Sequence, residues 1–77
     1  MSKLPILSDR EVIRVLKKAG FTYAPKRGKG SHIAMFNPQT KRLVIIPKND
    51  QIPRGTLLSI IKQAGLTKEE FLKLLKS

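Results

Sequence analysis

The sequence of 77 residues has no cysteine, no tryptophan, one histidine and only five acidic residues. Without cysteine there is no disulfide framework and no thiolate metal site, a composition that fits an intracellular chain. Four of the acids, Asp9, Glu11, Glu69 and Glu70, fall in the first turns of expected helices. There they favour the helix dipole and the caps, which leaves Asp50 alone in a loop. Paired-carboxylate catalysis and two-metal sites need several acids at one spot, and zinc needs three or four His, Cys or carboxylate ligands. Neither a metal nor a small-molecule cofactor is therefore expected. A serine triad would have only Asp50 to orient the histidine. Long apolar runs are missing too: the longest aliphatic stretch is Leu43-Val44-Ile45-Ile46, far short of the roughly 20 residues that span a bilayer. Met1 to Ser8 holds a lysine and a proline where a secretory signal would need sustained apolar character. The expectation is a soluble, cytoplasmic chain with no membrane partner.

Positive charge is what the sequence has in excess. Sixteen Lys and Arg against five acids give a net charge of +11, which points to a polyanionic partner, nucleic acid or an acidic protein. The length allows one domain over residues 1–77 with one modest core, since a chain of about 60 residues buries only about 60% of its unfolded surface.

The pattern along the chain reads as helix, three strands, helix, helix. Ser8-Asp9-Arg10-Glu11 has the S-x-x-E form of a capping box. Val12, Ile13, Leu16 and Ala19 follow at helical spacing, and Gly20 suits the left-handed terminal position. Phe21 to Ala24 reads as a short strand stopped by Pro25. His32 to Asn37 and Arg42 to Ile46 read as a hairpin around the turn Asn37-Pro38-Gln39-Thr40-Lys41. Pro53 opens a second helix through Leu57, Leu58, Ile60, Ile61 and Ala64, closed by Gly65. Thr67-Lys68-Glu69-Glu70 is a second box, opening a short C-terminal helix with Phe71, Leu72, Leu74 and Leu75. The fold class is α+β, a three-stranded antiparallel sheet with helices on one face.

His32 follows Lys26-Arg27-Gly28-Lys29-Gly30-Ser31. Imidazole, with a reference pKa of about 6.5, moves protons near neutrality, while a basic loop with two glycines offers charge and bare amides to an anion. Strand alternation puts His32, Ala34 and Phe36 on one face and Ile33 and Met35 on the other. Either register leaves His32 reachable at the first residue of its strand. RNA cleavage fits this inventory, because the 2′-hydroxyl of the substrate is itself a nucleophile and the protein has only to move protons and stabilise charge. His32 would be general base or acid. Lys26, Arg27 or Lys29, with the amides of Gly28 and Gly30, would hold the phosphate.

These residues resemble the HicA-type mRNA interferases, small toxins of toxin-antitoxin pairs. The resemblance covers nearly the whole chain. It rests on Ala19-Gly20-Phe21, on Lys26 to Ser31 running into His32, and on Pro53-Arg54-Gly55-Thr56-Leu57 followed by Ile60-Ile61-Lys62-Gln63-Ala64-Gly65-Leu66. It implies a fold like the double-stranded RNA-binding domain, α-β-β-β-α with a short extra C-terminal helix. It also implies a metal-independent endoribonuclease acting on mRNA with His32 as the catalytic residue, Ser31 in the RNA-binding loop, and inhibition by a HicB-type antitoxin. Where the family often carries a second histidine, this chain has Ile33.

Plainer readings stand beside these. The basic loop also reads as a solvated hairpin connection whose glycines serve only a turn. Gly55 reads as a packing or helix-start residue, and Tyr23, although able to stack on a base or donate a proton, reads as core or edge packing. Lys41, Arg42, Lys48 and Arg54 read as a diffuse positive field from which none stands out. A non-catalytic RNA-binding module on the same surface is the alternative function, and a pure protein-interaction adaptor is a third.

Overall fold

The computed structural model describes residues 4–24 and 30–77. Its elements are α1 (Asp9–Lys18), β1 (Thr22–Tyr23), β2 (His32–Asn37), β3 (Arg42–Pro47), α2 (Arg54–Ala64) and α3 (Lys68–Lys76). The fold is α+β, as the patterning implies.

Local chemistry sets the helix ends. Ser8 Oγ accepts from the Glu11 amide at 3.3 Å, and the Glu11 carboxylate accepts from the Ser8 amide at 3.0 Å, a complete capping box for α1. Thr67 and Glu70 do the same for α3. At the far end of α1 the Gly20 amide donates to Lys17 O and the Phe21 amide to Leu16 O. With Gly20 at φ +100°, this is a Schellman closure. It turns Phe21 into the core instead of into a strand, so β1 starts one residue later than its sequence suggests. β1 is also short, continued only by the Ala24 amide donating to Ala34 O at 2.9 Å.

The sheet order is β1-β2-β3, antiparallel throughout. Opposite Met35 lies Val44, and opposite Ile33 lies Ile46. These four side chains face the helices, and Met35, Val44 and Ile46 are fully buried with Val12, Val15, Leu16, Leu57, Ile60 and Phe71. The opposite face carries His32, Ala34 and Phe36 across from Pro47, Ile45 and Leu43. The outer edge of β3 is partly covered: Gln63 Oε1 on α2 accepts from the Ile45 amide at 3.1 Å. Such pairing satisfies a backbone donor that an exposed edge would leave open.

Two connections fix the ends of the hairpin. Asn37, 4% exposed, donates to Ala19 O and accepts from the Gln39 and Thr40 amides, pinning the β2–β3 turn to the end of α1. Upstream of α1, Leu4 and Leu7 are buried and Leu7 bridges to Ile52, an arrangement without a periodic signal in so short a segment. No helix among the described residues is long and apolar enough to cross a membrane.

Candidate nucleic-acid interface

His32 opens β2 and is exposed on the face of the sheet away from the helices. Its neighbour holds it: Ser31 Oγ and His32 Nδ1 are 3.1 Å apart. When the hydroxyl donates, Nδ1 accepts and Nε2 carries the proton; when Nδ1–H donates, Nε2 is free to accept. The two directions of this bond correspond to the acid and the base role of an imidazole. The dipeptide is anchored in turn, because the Lys48 amide donates to Ser31 O at 2.8 Å and His32 lies opposite Pro47. The imidazole thus sits where the chain enters β2 and leaves β3.

Gly30 precedes this pair at φ +40°, with nothing within 4 Å of the position a Cβ would take. Its requirement is conformational, not steric. Lys26, Arg27, Gly28 and Lys29 lie outside the described residues. The structure therefore brings Gly30, Ser31 and His32 together at one end of the sheet.

A shallow depression of about 410 Å³ opens at this end, lined by Tyr23, Ala24, Gly30, His32, Ala34 and Lys48 among others. Two of these, Tyr23 and Lys48, were weighed in the sequence reading and set aside. Tyr23, on the edge strand β1, is 53% exposed, so it is not a core residue. The Lys17 ammonium stands 4.7 Å from its ring centroid, a cation–π distance. Lys48 is the one lysine or arginine among the described residues that lines the depression. Neither stood out there, since a lone tyrosine in a strand pattern and a lysine after a proline are common in inert positions.

The supposed diffuse positive field also divides into distinct roles. Arg54 Nε donates to Leu4 O at 3.0 Å, and Arg42 reaches Gln63 O at 3.5 Å, so each exposed guanidinium also touches the frame. Lys41 occupies the β2–β3 turn at φ +60°, at the opposite end of the six-residue β2, roughly 17 Å from His32 at the rise of a strand. Gly55 does not pack: nothing lies within 4 Å of a Cβ built there and its φ is not positive. Its place in the first turn of α2 has no steric account.

No group of three His, Cys, Asp or Glu side chains among the described residues could hold a metal ion. Residues 10–66 match the profile of the family described as the HicA toxin of bacterial toxin-antitoxin systems. The chain belongs to the HicA toxin family. A comparison with curated proteins finds no match. Membership makes this HicA protein the toxin member of a toxin-antitoxin system, and so implies an antitoxin partner. The profile takes in β2, His32 and α2 but stops before α3, whose Phe71 is nevertheless fully buried.

Proposed function

We propose that this HicA toxin is a metal-independent endoribonuclease that cleaves mRNA in the cytoplasm, with His32 as general acid or base, and that a HicB-type antitoxin silences it. One observation carries the reading: His32 is exposed at the head of β2 with Nδ1 engaged by Ser31, so that Nε2 is the ring nitrogen left for a substrate.

In the reaction the 2′-oxygen of RNA attacks the adjacent phosphorus. The bond from phosphorus to the 5′-oxygen of the next nucleotide breaks, giving a 2′,3′-cyclic phosphate and a 5′-hydroxyl. One proton leaves the 2′-hydroxyl and one reaches the 5′-oxygen. His32 performs one transfer and water the other, a contribution of about a hundred- to ten-thousand-fold. Lys26, Arg27, Gly28, Lys29, Gly30 and Ser31 form the RNA-binding loop, whose cations and amides hold the phosphate.

The test is cleavage of a single-stranded RNA in EDTA by the native chain and by His32→Ala, both verified as folded. The native chain should cut and His32→Ala should be slower by about a hundredfold or more. Equal rates would remove His32 from the mechanism. Retention of RNA without cleavage by the native chain would identify a non-catalytic RNA-binding module instead. A 2′-O-methyl group at the cleaved position should block the reaction, because the nucleophile is then absent.

A further inference from the structure

Resting on this ribonuclease reading, we infer that Lys48, just past the end of β3, is a further phosphate-holding cation of the His32 site and that Tyr23 is the platform for the adjoining nucleobase. The juxtaposition is specific. Lys48 and Tyr23 border the same 410 Å³ depression as His32, and both are exposed.

Lys48 is placed by its backbone. Its amide bonds to Ser31 O at 2.8 Å, so its Cα is fixed across from the dipeptide that carries the imidazole. Among the described residues, other cations stand apart from the imidazole: Arg42 and Arg54 each reach a backbone carbonyl, Lys41 lies in the far turn, and Lys17 stands over the ring of Tyr23. The phosphorane formed by 2′-oxygen attack carries more negative charge than the phosphodiester. A cation beside it therefore favours the transition state over the bound substrate.

Tyr23 supplies what the phosphate contact lacks. A tyrosine 53% exposed presents a rigid ring, and every base has a face that stacks on one. The Lys17 ammonium at 4.7 Å orients the ring and adds positive charge beside it. By register Tyr23 belongs with Met35 on the helix side of the sheet, and His32 with Ala34 on the open side. An RNA strand engaging both must pass around the end of the sheet, its phosphate between Lys48 and His32 and its base turned onto Tyr23.

The experiment pairs cleavage in EDTA with fluorescence-anisotropy binding of an uncleavable 2′-O-methyl RNA. It compares the native chain, Lys48→Met, Lys48→Arg, Tyr23→Leu and a control, Lys73→Met, on the exposed side of α3; circular dichroism verifies folding. Lys48→Met should lower kcat about tenfold or more, with Lys48→Arg restoring most of it. It should also weaken binding of the uncleavable RNA about threefold. Tyr23→Leu should raise KM and weaken binding about fivefold or more while leaving kcat largely intact. Lys73→Met should change each quantity by less than about twofold. If Lys48→Met matches Lys73→Met in both assays, the phosphate assignment is overturned; if Tyr23→Leu binds as tightly as the native chain, the base platform is. If the native chain cuts nothing yet Lys48→Met and Tyr23→Leu still weaken binding beyond the control, the ribonuclease reading fails and the subsite stands as an RNA-binding site.

Discussion

Replacing Phe71 by alanine tests whether α3 is part of the HicA core or an appendage to it. The family profile ends at residue 66, yet Phe71 has no exposed surface and joins the cluster formed by α1, α2 and the sheet. Removing a fully buried phenyl ring costs the transfer free energy of its carbons plus the cavity left behind, typically about 3–5 kcal/mol. A chain of 77 residues has in total about 4–12 kcal/mol of stability at the usual value per residue. Phe71→Ala should therefore remove a large share of it and lower Tm by roughly 12 °C or more, at about 4–8 °C per kcal/mol for a domain of this size. Urea unfolding followed by circular dichroism is the assay, with the midpoint shifted and the m-value unchanged. Leu72→Ala, at a half-buried position on the same helix, should lose clearly less. A loss below about 1 kcal/mol for Phe71→Ala would refute the reasoning. It would mean that the ring is not packed in the folded state and that residues up to 66 suffice.

Two further outcomes follow from the caps. The Ser8 amide and hydroxyl hold the Glu11 carboxyl below its usual value, with a smaller contribution from Arg14. Because the folded value is the lower one, this stability is present above the unfolded pKa and is lost as pH falls through the folded one; Glu11→Gln should flatten that acid limb in urea titrations at a series of pH values. Gly65 ends α2 at φ +74°, and a Cβ there would lie 2.5 Å from Arg42 Nε. Gly65→Ala should cost about 1–2 kcal/mol from the left-handed backbone. Adding Arg42→Ala should return little of it, whereas full recovery would show that the contact with Arg42, not the backbone, was the source.

Much of this fold is legible in local chemistry. Both capping boxes, Ser8 with Glu11 and Thr67 with Glu70, form as their spacing implies, because a cap is a contact between residues three apart. The terminal glycines Gly20 and Gly65 take positive φ for the same local reason. Alternation along β2 separates His32 from Met35, since the period of a strand is a property of its own backbone. The reading is less secure where a residue's fate depends on distant partners. Leu4 and Leu7 gain their burial from Ile52 and its surroundings. Nothing within a few residues of either announces this.

The site divides the same way. By itself the sequence determined that one histidine follows a basic glycine loop at the start of a strand, that four of five acids belong to helix caps, and that the chain resembles the HicA toxins. Those properties are set by neighbours in the chain and by composition. Among the described residues, only the tertiary structure brought Lys48 to His32. Lys48 is sixteen positions away along the chain and adjoins it because β3 runs antiparallel to β2. Tyr23 reaches the same depression only because β1 pairs with β2 in one register. Arg42 and Arg54, equally basic in the sequence, each reach a carbonyl that only the folded chain brings to them. Charge is additive along a sequence, but a site requires charges to converge, and convergence is a property of the register and packing of the sheet.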